Sequence, residues 1–262
     1  LLPNMDAELG EAIEKQLAAR GIVVHTDTKV DALEAAGQEL TARLGGQAIE
    51  VDKVLVATGR RPNTADCGLQ TVGIETDRGF VRVDDRMRTT ADDVYCIGDA
   101  NGRCPLAHAA SAQGIVAVDD ALGLDARYDM PVPEAVYTFP EVAAVGMTAE
   151  QACAKNLPVA VGRFPMGHLG KAMAAGDTSG FVKVVRHRET GELLGVHMLG
   201  HNVTESIAAA GAMLHRRVSV RELAEVVIAH PTMTEALHEA AEDTLGEALH
   251  LPPRKVVRVA AE

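Results

Sequence analysis

The run Val-Leu-Val-Ala-Thr at residues 54–58 constrains the fold more than any other stretch. It is continuously apolar, as expected of a strand covered on both faces, and so calls for a layered α/β arrangement. Around it the chain alternates elements. Residues 5–20 predict a helix: Leu9, Ile13 and Leu17 recur every four positions, and Gly21 stands where a C-cap glycine belongs. IVVHT at 22–26 predicts a short strand. VDAL, ELTARL and QAIEV predict a meander, with Gly45-Gly46 as a two-residue hairpin turn. Further strands are expected at 80–83 and 94–97, and a helix over 105–122 entered through Pro105.

Near 125–135 the composition shifts, with two prolines and no helical period, and a linker is expected. The order then reads strand, strand, helix, strand, followed by a hairpin of GFVKVVRH and ELLGVHMLG around Thr190-Gly191. Helices are expected at about 203–216, 219–227 and 233–248. Strands followed by helices predict a separate α+β domain.

Composition removes several function classes. The 25 basic and 37 acidic residues give a net charge of −12, and such a surface repels phosphate backbones. No apolar run reaches the ~18–20 residues of a membrane helix. Aromatic residues are 3% and Trp is absent, which leaves little for stacking platforms. Cys67, Cys96, Cys104 and Cys153 form no C-x-x-C and have no His partners at zinc spacing. Reduced thiols in a cytosolic protein are expected, with no metal site. The opening LLPNMD has no initiator Met and no basic-then-apolar leader pattern. It suits a processed N-terminus or a domain cut from a longer chain.

Three segments can carry chemistry. ATGRRPNT at 57–64 places Gly59 at the C-terminal end of a predicted strand, the edge where open α/β sheets bind ligands. Arg60 and Arg61 can hold a phosphate there, or simply be exposed beside a turn. In the second segment, 94–114, a strand ends in Gly98-Asp99 and a helix begins near Pro105. Asp99 can accept from sugar-like hydroxyls, and a helix start offers N–H groups and partial positive charge. A plain Gly-Asp turn with an ordinary helix histidine, His108, is the alternative. In the third, 229–242, His230 precedes Pro231, which keeps it out of the following helix. Glu235 lies in the first turn, where it can return to the imidazole and support acid–base chemistry, or merely cap the helix. His238, His215, His250 and His25 lack a comparable partner and are expected to be surface or packing residues.

Taken together, ATGRRPN, IGDA, LAHAA and HPTMTE, in that order, resemble the flavin-dependent disulfide reductases that use a pyridine nucleotide. PEVAAVG at 140–146 and the GFVKVV/LLGVHMLG hairpin resemble that family's C-terminal interface domain. LAHAA at 106–110 is most similar to the branch that oxidises dihydrolipoamide, and the tail LPPRKVVRVAAE has no cysteine pair of the mercuric branch. The resemblance implies FAD and NAD as cofactors, a dihydrolipoyl substrate, a homodimer, and a place in a 2-oxo acid dehydrogenase multienzyme complex. It implies that Asp99 and the backbone of Leu106, Ala107 and His108 face FAD, and that Gly59 and Val30 line the NAD pocket. His230 becomes the acid–base, oriented by Glu235 and serving the partner subunit's disulfide across a cis peptide before Pro231.

The family's two glycine-rich turns and its redox C-x4-C do not occur in this sequence, and LGHNVTE departs from the family's small-residue form. The resemblance is therefore to the C-terminal half: 1–70 as the end of the NAD domain, 71–134 as the returning FAD segment, and 135–262 as the dimerisation domain. The expected fold is partial α/β nucleotide-binding domains followed by an α+β dimerisation domain. Another disulfide or quinone reductase, or a non-catalytic dimerisation module, are the other readings.

Overall fold

The structure is a computed structural model that describes residues 1–37, 39–252 and 257–259. It divides into two compact units. The first joins Leu1–Val24 to Met130–Glu262, and the second is His25–Asp129.

The first unit begins with α1 (Ala7–Ala19), whose N-cap Asp6 accepts from the Glu8 N–H. After residue 130 come β6 (Glu134–Val136), β7 (Glu141–Gly146), α3 (Ala149–Ala154), β8 (Val159–Pro165), α4 (Gly170–Ala175), β9 (Phe181–His187) and β10 (Leu193–Gly200). Helices α5 (Val203–His215), α6 (Val220–Ala224) and α7 (Glu235–Leu245) follow, then β11 (Val257–Val259). The strands form one antiparallel sheet in the order β11-β8-β9-β10-β7-β6.

Strand periodicity explains how this sheet is covered on both sides. Along β7 and β9, Ala143, Val145, Val182 and Val184 point to the core shared with Ile207, Leu223, Leu237 and Ala240 of α5–α7. The alternate residues Val142, Ala144 and Phe181 meet Leu9 and Ile13 of α1, together with Leu199. Every residue of β10 is buried. On the α1 side a buried ion pair, Lys183 Nζ to Asp6 Oδ2 at 2.7 Å, fastens the helix start to β9.

Helix α7 lies directly on β8. A Cβ on Gly162 would come within 2.1 Å of the Ala240 carbonyl oxygen, so only glycine allows the approach. The Arg163 N–H donates to Asp243 Oδ2 at 2.7 Å, and Arg186 Nε donates to Thr244 Oγ1 at 3.0 Å. Two adjacent strands thus fix the helix that carries Glu235.

The second unit holds a three-stranded meander, β1 (Val30–Ala36), β2 (Glu39–Leu44) and β3 (Gln47–Val51), turned at Gly45-Gly46 with both φ positive. A two-stranded hairpin, β4 (Thr76–Asp77) and β5 (Phe80–Val81), precedes α2 (Ala107–Ala121). Asp120 of α2 is buried and accepts from Arg86, Arg88 and Tyr95, which pins residues 86–95 to the helix.

Several expected elements differ. The helices over 5–20 and 105–122 form as α1 and α2, and the meander forms as expected. The strands expected at 22–26, 54–58 and 94–97 do not form among the described residues, and the one at 80–83 shortens to β5. An apolar run becomes a strand only by pairing. Residues 54–58 have no neighbouring strand here, and Leu55 is 90% exposed. The helices expected at 219–227 and 233–248 are shorter, ending at Ala224 and Leu245. In the tail, residues 253–256 and 260–262 lie outside the described residues.

Candidate active site

His230 stands just outside α7, joined to Pro231 by a cis peptide bond. Its Nδ1 lies 2.8 Å from Glu235 Oε1, while the Thr232 N–H donates to Glu235 Oε2 at 2.7 Å. One carboxylate oxygen therefore meets the imidazole and the other the backbone ahead of the helix, and no side-chain bond caps α7 at Thr234. Burial pushes the Glu235 carboxyl up, but the Thr232 N–H and then His230 outweigh it and hold the group below the usual carboxylate range. An ionised Glu235 is an acceptor only, so it fixes the proton of neutral His230 on Nδ1 and leaves Nε2 as the free base. The His230 side chain is 76% exposed, and Nε2 has no hydrogen-bond partner among the described residues.

A second pair corrects the expectation for His250. Its Nδ1 lies 2.5 Å from Glu239 Oε1, and its own N–H donates to Glu239 Oε2 at 3.2 Å. Glu239 is buried, and its charge raises the affinity of His250 for a proton. Sequence spacing missed this pair because eleven residues and the left-handed C-cap Gly246 separate its members. His238 is also engaged: Nε2 lies 2.8 Å from the Ala224 carbonyl oxygen, and Nδ1 lies 3.6 Å from Glu242 Oε2.

In the second unit, Asp99 sits in a single 3₁₀ turn, Gly98–Asn101, and accepts from Arg60 Nη1 at 2.7 Å. Gln113 Oε1, reaching out from α2, holds the Gly98 N–H at 2.8 Å and so ties this turn to the helix. Leu106 is the N-cap of α2 and gives no side-chain cap, and Ala107 and His108 at the helix start are exposed. Asp99 remains partly exposed beside its arginine. A partly exposed carboxylate in a turn packed against a helix start offers an acceptor for the hydroxyls of a polyol chain. Gly59 follows the unpaired run at 54–58 with φ +112°. Val30 opens β1 opposite Leu44 and is exposed. No hydrogen bond among the described residues joins Gly59 to Val30.

Residues 1–114 match the family model of the pyridine nucleotide-disulphide oxidoreductases, and residues 132–241 match that of their dimerisation domain. The dihydrolipoyl dehydrogenase of Thermus scotoductus is 41% identical over 96% of this chain and 56% of its own length. The dihydrolipoyl dehydrogenase of Mycobacterium tuberculosis is 38% identical over 95% of this chain and 55% of its own. The chain thus spans about half the length of the curated relatives it matches. Among solved structures, LpdA from Mycobacterium tuberculosis superposes with a TM-score of 0.85 at 29% identity, covering 90% of this chain and 52% of that one. The HOCl-induced flavoprotein disulfide reductase RclA from Escherichia coli gives 0.85 at 26% identity, covering 92% and 56%. With matched stretches on both sides of residue 130, the chain belongs to the pyridine nucleotide-disulphide oxidoreductase family.

Proposed function

We propose that this chain is the proton-transfer and assembly part of a dihydrolipoyl dehydrogenase. The observation that carries the reading is His230, tied by Nδ1 to Glu235 and offering Nε2 outward. In the proposed step Nε2 takes the proton of a dihydrolipoyl thiol, leaving a thiolate and an imidazolium. Glu235 accepts the Nδ1–H throughout and stabilises the charge that develops on the ring. The reverse transfer returns the proton to a leaving thiolate.

FAD supplies the electron acceptor when bound and NAD the exit. Asp99, Leu106, Ala107 and His108 are the residues of this chain proposed to hold FAD, and Gly59 and Val30 those proposed to face NAD. On this reading 1–70 closes the NAD domain, 71–134 returns to the FAD domain, and 135–262 dimerises. The match of residues 132–241 to a dimerisation domain supports a homodimer. A cytoplasmic location and a 2-oxo acid dehydrogenase complex as partner belong to the same proposal. The second reading, a different disulfide substrate, is favoured by the equal structural similarity to RclA.

The test is His230→Gln in the full-length enzyme. Dihydrolipoamide oxidation should fall by about 10²–10⁴-fold with flavin content unchanged, the contribution typical of a general acid–base. Glu235→Gln should cost less, since it leaves the imidazole in place. Near-normal turnover in His230→Gln would return His230 to an ordinary helix-start residue.

A further inference from the structure

Helix α7 carries the same arrangement twice. Glu235 and Glu239 stand four positions apart, on one face of the helix. Each divides its carboxylate between an imidazole Nδ1 and a backbone N–H: Glu235 between His230 and Thr232, Glu239 between the ring and the amide of His250. Both rings face solvent, His230 at 76% and His250 at 68% exposure, whereas both carboxylates are largely covered. Gly246, at φ +78°, turns the chain so that His250 comes back alongside the helix. A buried carboxylate at 2.5 Å favours the charged imidazole, and Glu235 and Glu242 act on His250 in the same direction. The attraction is mutual: the His250 charge also helps keep Glu235 ionised.

We propose that His250 is a positioning residue for the His230–Glu235 pair, a second cation that shares the α7 carboxylates and limits how firmly His230 holds its proton. The inference rests on the reading of His230 as the proton carrier. When His230 gives up its proton, Glu235 loses its nearest positive charge. The His250 imidazolium remains on Glu239, the carboxylate one turn along the helix, so Glu235 stays ionised and keeps its hold on Nδ1–H. When His230 is protonated, the same charge opposes it and eases release.

Other charges among the described residues also border α7. Glu242 and His238 lie on the helix itself, and α6 presents Arg221, paired with Glu247 at 2.6 Å. From β8 the Arg163 backbone N–H donates to Asp243 while its guanidinium pairs with Glu8, and from β9 Arg186 donates to Thr244. From α5, the uncharged Ser206 meets Thr234.

The experiment follows the histidine ring resonances by ¹H–¹⁵N NMR across a pH titration of the whole chain, with His250→Gln and His250→Lys alongside. His250→Gln should move the His230 midpoint upward by on the order of 0.3 pH unit at low ionic strength, and by less in 1 M salt, where charges one helical turn apart are screened. His250→Lys, which keeps a cation, should restore the wild-type midpoint. His25, in the other unit, should not move in either variant. A stationary His230 midpoint in His250→Gln overturns the proposal. So does an equal shift in His250→Lys, or a parallel shift of His25, because either would report packing or unfolding instead of charge. The outcomes separate from the functional test: normal turnover in His230→Gln removes the proton-carrier reading even if the two rings prove coupled. Uncoupled rings remove only the role of His250.

Discussion

At the scale of single residues, the most buried ion pairs join segments distant in sequence. Asp120 is the clearest case, receiving Arg88, Tyr95 and Arg86 from the stretch that lies over α2. Arg88 first, then Tyr95 and Arg86, outweigh burial and hold its carboxyl down at about 2. A folded-state value below the unfolded one means stability that is present above pH ~4 and lost as pH falls toward the folded value. Asp120→Asn should therefore be less stable than the wild type near neutrality. The gap should close between pH 4 and 2 when denaturant midpoints are measured across that range, and a gap that persists at pH 2 would contradict the account. The same locality explains what the sequence could reveal. His230 and Glu235 are five residues apart around a helix start, so their pairing was legible. His250 and Glu239 meet only because the chain reverses at Gly246, and no short-range pattern records that reversal.

At the scale of elements, legibility followed whether an element carries its own partners. The meander and the β9–β10 hairpin were readable because consecutive strands pair and their turns have glycine where positive φ is needed. Residues 54–58 have the apolar content of a buried strand, yet content alone forms no ladder, and they remain unpaired and exposed. The seat of α7 on β8 is the element contact on which the candidate site depends. Gly162→Ala would drive a methyl into the Ala240 carbonyl and the Thr244 N–H. The helix must shift in response, at a cost of about 1–3 kcal/mol typical of overpacking. Denaturant unfolding should report that loss. A Gly162→Ala protein as stable as the wild type would show that α7 has more room than its contacts indicate.

At the scale of the whole molecule, the helix in α1 was predictable from its four-residue recurrence, but its destination was not. Leu9 and Ile13 lie on the sheet built from residues 134–200 and share a core with Val142, Phe181 and Leu199. Lys183, nearly buried in β9, has its 2.7 Å partner in Asp6. Removing residues 1–24 should uncover that apolar face and leave Lys183 without its counter-charge. Such a protein should bind a hydrophobic dye and unfold at lower denaturant than the intact chain, since breaking a buried pair from one side typically costs about 3–5 kcal/mol. Unchanged dye binding and stability would mean that α1 only rests on the sheet.

The placement of α1 also sets a timetable for synthesis. The helix leaves the ribosome ahead of β10, against which it packs and which lies some 175 residues downstream. At about 5–20 residues per second, the wait is roughly ten to thirty-five seconds. During it the Leu9 and Ile13 face lacks Leu199 of its final core, and for most of it Val142 and Phe181 as well, and an isolated helix of 13 residues is barely stable in water. The nascent chain therefore carries an unmatched greasy segment while those residues are made, the kind of signal that holding chaperones capture. Early pausing of the ribosome would lengthen that exposure, whereas faster decoding of the following codons would shorten it.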